Sequence, residues 1–285
     1  MLQRSVKARI VMRSCVLLTV FILAVAGYAA SPTWVVSSLN NLRRAARVAN
    51  AAKNGVKVAV AIGKCEHALS EAQIDDLAKI ASRPKGLEAV GQTLGKMNLI
   101  QKYGDDVGHL ILQDAYLRIA VRNGKISSEL ANSTLKNLSG TPGLTALLRK
   151  INTVDSHMAK GHLRELEIGI RASERDFKAV SFGQKFSDGL KRGDTDLDVF
   201  LTRGGKNYAI ESKAYSGYVP NDMIRADAES LLAFSKEVSN TTPVFCFETA
   251  PSEFSLKWLS AKGVKVITGN AEEIASKLDV LSSCW

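Results

Sequence analysis

Between residues 37 and about 152 apolar positions return every three to four residues, the spacing of amphipathic helices. Leu39, Leu42, Ala46 and Ala49 line one face of the first, with Arg43, Arg44 and Arg47 on the other. Residues 56–62 (Val-Lys-Val-Ala-Val-Ala-Ile) read either as a short strand or as a helix of small residues. Further helices are predicted over 70–80, opening at Ser70 and Glu71, and over 106–121, 127–138 and 145–151, with a Gly/Pro loop at 139–143.

After about residue 152 the period changes. A helix is predicted over 160–175, a strand over 177–182 and a polar loop over 183–193. Strands come next at 197–202 and 208–215, joined by the tight turn Arg203-Gly204-Gly205-Lys206. Then come a helix (222–238), a strand (243–248), a helix (252–261), a strand (264–268) and a last helix (271–278). Helices interleaved with apolar strands predict an α/β domain over 153–285, a central mixed sheet flanked by helices, preceded by a mostly α-helical region at 31–152.

The first thirty residues form a third segment. Arg4, Lys7, Arg9 and Arg13 precede an apolar run over 16–30 without one acid between them. Gly27 and Ala29 fit a signal peptide cut after Ala29. Counted on to Val36, the run reaches about 20 residues, so an uncleaved membrane anchor is the competing reading. Either way the chain is expected to be exported (periplasmic or secreted) or membrane-anchored.

Charge sharpens the division. The formal net charge is +10, yet 21 basic and 10 acidic residues precede Lys160, against 17 and 18 from there on. A basic N-terminal part suits nucleic acid or an anionic membrane, although the Arg/Ala-rich stretch 43–60 also reads as an ordinary helix with a solvated basic face. Cys15, Cys65, Cys246 and Cys284 form no CxxC pair, which removes the usual zinc site. A Cys65–Cys284 bridge is one option in an oxidising compartment, and Cys246 reads as a buried strand residue. Gly86 and Gly91 are spaced as in a phosphate loop, but Gln92 stands where lysine is needed.

The chemistry lies on two strands. Period-2 geometry puts Leu197, Val199 and Leu201 on one face, and Asp196, Asp198 and Phe200 on the other. Glu211 and Lys213 share a face opposite Ile210 and Ser212. A hairpin would bring these carboxylates and the ammonium together on an apolar framework, where charges are costly unless paired or used. Phosphodiester hydrolysis needs such a set. Mg²⁺ or Mn²⁺ held by Asp198, Glu211 and the backbone carbonyl of Ser212 would generate hydroxide, with Lys213 beside the attacking water or the phosphate.

The order helix-Glu, strand-Asp, strand-Glu-x-Lys resembles the PD-(D/E)xK, or restriction-endonuclease-like, nucleases, which include Holliday-junction resolvases, Mrr-like enzymes and toxin nuclease domains. The helix Lys160-Gly161-His162-Leu163-Arg164-Glu165 is similar to their opening helix, and Glu165 then matches the glutamate that meets the metal directly or through water. The resemblance covers Lys160 to about Gly269. Glu167 competes with Glu165, and Asp196 with Asp198. Leu197 replaces the motif proline, Asp176 stands where glycine is common, and the loop 183–193 is long. Lys185, Lys191, Arg192 and His162 are the candidate substrate contacts.

The resemblance implies a metal-dependent endonuclease, acting on DNA ahead of RNA, as a secreted or membrane-tethered effector or toxin. The expected partners are nucleic acid, a membrane through the N-terminal segment, an immunity-type protein, and a second copy of the chain. The alternative is a membrane-associated helical interaction protein whose C-terminal domain only binds nucleic acid.

Overall fold

The computed structural model describes residues 69–83, 85–95, 107–153, 155–187, 194–215 and 220–283. The expectations for the export segment, the Arg43 helix, residues 56–62, Lys191, Arg192 and the Cys65–Cys284 pairing lie outside the described residues.

The described N-terminal part is built of helices: α1 (Glu71–Ala81), α2 (Gly86–Gly95), α3 (Val107–Arg122), α4 (Ser128–Leu138) and α5 (Leu144–Thr153). Ser70 opens α1 with a capping box, its hydroxyl accepting from the Gln73 amide while the Gln73 side chain takes the Ser70 N–H. Helix α2 is absent from the elements that the sequence pattern predicts. Its glycines weaken intrinsic helix propensity, but Ala89 and Val90 are fully buried, and that tertiary burial overrides it.

The chain then runs through α6 (Ser156–Ser173), β1 (Lys178–Ser187), β2 (Asp194–Arg203), β3 (Lys206–Lys213), α7 (Asn221–Glu237), β4 (Thr241–Phe247), α8 (Glu253–Ala261), β5 (Lys265–Thr268) and α9 (Ala271–Ser283). Asp155, accepting from the Met158 amide at 2.9 Å, starts α6 four residues before the predicted Lys160. Of the polar loop expected at 183–193, residues 183–187 are strand, because Gln184, Lys185 and Phe186 pair with Leu197, Asp196 and Thr195, and 188–193 lie outside the described residues. At the other end, β3 stops at Lys213, two residues before the predicted Tyr215.

The five strands form one mixed sheet in sequence order. β1, β2 and β3 are antiparallel, whereas β3, β4 and β5 run parallel and need the crossover helices α7 and α8. Alternation along β3 and β4 divides the core. Tyr208, Ile210, Val244 and Cys246 pack with Leu166, Ile168 and Ile170 of α6 and Ile274 and Leu278 of α9. Ala209, Phe245 and Phe247 pack under Ile224, Ala228, Leu231 and Phe234 of α7 and Leu259 of α8. Each such large apolar side chain contributes roughly 1.5–3 kcal/mol through burial. The first cluster also takes in α1 to α5, running without a break from Leu69 to Leu278. Among the described residues no helix is long and apolar enough to cross a membrane.

The sheet is not paired along its whole length. β2 pairs with β1 as far as Ser187↔Asp194, but with β3 only from Arg203↔Lys206 to Val199↔Ile210. It therefore forks between β2 and β3, one residue beyond Val199. Leu197, expected beside Val199 and Leu201, packs instead in the cluster of Phe200 and Ala209, so the alternation breaks at Asp198.

Candidate active site at the strand fork

Asp198 stands at the fork on β2. Where the ladder has ended, the Ser212 N–H donates to Asp198 Oδ2 at 2.7 Å, so a carboxylate replaces a backbone partner. Glu211 follows Ile210 on β3 and is 8% exposed. Two residues on, and on the same face, the Lys213 ammonium donates to Glu211 Oε1 at 2.8 Å. The strand pattern thus delivers the expected trio of Asp198, Glu211 and Lys213.

Glu165 reaches the trio from α6. It too is 8% exposed, and its charge is felt by both Asp198 and Glu211. His162, one turn earlier, holds Glu165 Oε1 through its Nδ1 at 3.0 Å. The competitors separate cleanly. Glu167 lies half-buried between Arg164 and Arg171, where burial raises its pKa and those two arginines lower it. The Asp196 side chain is 52% exposed and faces Lys150 at 3.8 Å. Lys185 is exposed on β1 opposite Asp196.

One member of the site had no sequence signal. Asp227, on α7, accepts from the Lys213 ammonium at 2.8 Å through Oδ2. A single acid fourteen residues beyond Lys213 is indistinguishable from a solvated helix residue until α7 is docked on the sheet. The spacing from Ile224 through Ala228 to Leu231, which buries that face, is the only trace of where Asp227 would point.

The electrostatics come from this crowding. Burial pushes the Asp198 carboxyl well above the usual range, the Glu211 and Glu165 charges add to it, and the Ser212 amide and Lys213 offset part. Burial likewise raises Glu211 to about 7, with Lys213 opposing and Asp227 and Glu165 adding. For Lys213, burial disfavours the charge, but Glu211 and Asp227 together outweigh it and hold the ammonium protonated. On the other side of the sheet the Cys246 thiol is buried and pushed up to about 12, which leaves it inert near neutrality.

The donor set is all oxygen on the acidic side, which is the chemistry of Mg²⁺ or Mn²⁺ rather than of a thiophilic metal. Among the described residues, no three His, Cys, Asp or Glu side chains converge closely enough to hold a metal ion as they stand. Asp198 Oδ2 is taken by the Ser212 amide and Glu211 Oε1 by Lys213, so a cation on either of those oxygens would displace that contact. No family model, curated protein or solved structure matches this chain.

Proposed function

We propose that the chain is a Mg²⁺- or Mn²⁺-dependent phosphodiesterase that cuts nucleic acid, DNA ahead of RNA, with a restriction-endonuclease-like catalytic domain over 153–285. One observation carries this reading: Asp198, Glu211 and Glu165 come together at the fork between β2 and β3, beside the Lys213 ammonium. The Glu165 charge adds to the raised pKa of Asp198 and of Glu211, and such crowding destabilises the fold, an arrangement expected where a cation neutralises it. Asp198 and Glu211 would hold the metal with the Ser212 carbonyl, and Glu165 would join directly or through water. A bound divalent cation supplies hydroxide at neutral pH and offsets the charge that grows on the phosphate.

The protein's own groups do the rest. Lys213, kept protonated by its carboxylate partners, donates to the attacking water or to a non-bridging phosphate oxygen and cannot act as a base. His162 fixes the orientation of Glu165 and is a proposed substrate contact. Lys185, Lys191 and Arg192 would follow the phosphate backbone. The N-terminal segment suits export or membrane tethering, as in a secreted effector or toxin. An immunity-type protein and a second copy of the chain are proposed as further partners.

A second reading, a non-catalytic nucleic-acid-binding domain, draws on the absence of three convergent metal-binding side chains among the described residues. The two readings separate in one experiment. The full chain is incubated with plasmid DNA and with total RNA in Mg²⁺, Mn²⁺ or EDTA, beside Asp198→Ala and Lys213→Ala. Cleavage that needs metal and both side chains supports the nuclease. A folded wild type that binds nucleic acid without cutting favours the binding domain, and cleavage that survives both substitutions removes this site assignment.

A further inference from the structure

The Lys213 ammonium is shared. Nζ lies 2.8 Å from Glu211 Oε1 and 2.8 Å from Asp227 Oδ2, and those carboxylates come from different elements, β3 and α7. The Glu211 link is local, between residues two apart on one strand face. The Asp227 link fastens the lysine to a helix that is itself seated by Ile224, Ala228 and Leu231, all within about 1% of full burial. Lys213 and Glu211 are the more enclosed pair, with 16% and 11% of their side chains exposed, whereas Asp227 is 32% exposed at the outer edge.

This division has a chemical consequence, which rests on the nuclease reading. A cation on Glu211 competes for the oxygen that now accepts from Lys213, and it repels the ammonium. A lysine held by Glu211 alone would be set loose at the moment it is needed. From this geometry we propose that Asp227 is a positioning residue: it keeps the Lys213 ammonium in place on α7 when Glu211 turns to a cation, and is not itself a metal ligand. A carboxylate is required because the partner carries a full charge and sits partly desolvated, where an amide acceptor holds an ammonium less firmly.

Asp227→Asn and Asp227→Glu are made in the full chain and measured three ways. In plasmid cleavage, Asp227→Asn lowers kcat by about 10- to 100-fold, the range expected when a reacting group is displaced by about 1 Å, while KM stays within about twofold; Asp227→Glu restores most of kcat. Mn²⁺ affinity by calorimetry stays within about twofold of wild type in both variants. Reductive methylation, read at Lys213 by mass spectrometry with Mn²⁺ present, becomes about tenfold faster in Asp227→Asn, as expected for an ammonium released from a charged partner, and returns towards the wild-type rate in Asp227→Glu. Wild-type kcat together with unchanged Lys213 methylation in Asp227→Asn overturns the proposal. So does a loss of Mn²⁺ affinity, which would make Asp227 a ligand, or a kcat loss matched by an equal loss of folded protein. If the wild type cuts nothing, the nuclease reading fails, and the methylation of Lys213 still decides the role of Asp227.

Discussion

Replacing Glu211 with glutamine should change how the metal-free protein responds to pH, and the size of the change can be worked from the site. Burial, with smaller contributions from the Asp227 and Glu165 charges, moves the Glu211 carboxyl from 4.5 to about 7 despite the Lys213 ammonium beside it. A raised carboxyl binds its proton more tightly in the folded chain than in the unfolded one. Its contribution to stability is therefore complete below about 4.5 and is lost as pH rises through about 7. Over that window it amounts to roughly 3 kcal/mol, most of which disappears between pH 5 and pH 8. Asp198 adds to the loss with the same sign, and Lys213, whose pKa is raised above its ordinary 10.5, does not titrate in this range. Glu211→Gln is neutral throughout, and its amide oxygen can still accept from Lys213. Urea unfolding in EDTA, followed by circular dichroism at pH 5, 6, 7 and 8, should show the wild type losing about 2–3 kcal/mol more than the variant across the series. The same difference should appear as about 5–10 °C in Tm for a chain of this size. Equal pH slopes for the two proteins, or a wild type that gains stability towards pH 8, would refute the claim that Glu211 is buried against its own charge.

Other perturbations separate the remaining groups. At pH 8, Mg²⁺ at a hundredfold excess over its Kd should stabilise the wild type by about 3 kcal/mol and leave Asp198→Asn unmoved, a comparison read by thermal melting. Asp198→Ala should lower plasmid cleavage by at least about 100-fold, whereas Asp196→Ala, which removes only an exposed pairing with Lys150, should leave the rate within about twofold and stability within about 0.5 kcal/mol. His162→Ala should slow cleavage by about tenfold with little change in Tm, because it frees Glu165 to rotate without opening a core. Gly143→Ala should destabilise the fold by about 2–4 kcal/mol, seen as a lower urea midpoint, since φ is +81° and the new Cβ would stand 1.8 Å from the Phe182 carbonyl oxygen.

Much of the C-terminal half can be read from period and punctuation. Gly204 and Gly205 take φ of +57° and +77°, the left-handed pair that a two-residue hairpin demands, and this fixes the register that puts Asp198 near Glu211. Sequence also places Glu211 and Lys213 on one face, because strict alternation holds through β3. It fails for Leu197, since alternation assumes an unbroken ladder and the fork lies one residue away. Gly183 and the charges after it suggest a loop, yet pairing with β2 carries β1 on to Ser187. Helix α2 is hidden for the opposite reason: local propensity opposes it, and only contact with α1 and α3 supplies the burial. Choosing Glu165 over Glu167 needs the rotation of α6 against the sheet, and Asp227 needs the docking of α7. Both are matters of tertiary geometry that no short window of sequence holds.

The contact between Gly143 and β1 also bears on what this protein must avoid. β1 is an outermost strand, and such a strand presents a row of unpaired amides to any other extended chain. Here the Phe182 N–H is already taken by the Pro142 carbonyl at 2.9 Å, and Gly143 lies against the Phe182 oxygen so closely that no larger residue fits. The loop before α5 therefore acts as a stopper on the sheet, and the opposite margin is only the four-residue β5. A substitution that loosens the stopper should show itself in self-association and turbidity during refolding, before any effect on the distant carboxylates is felt.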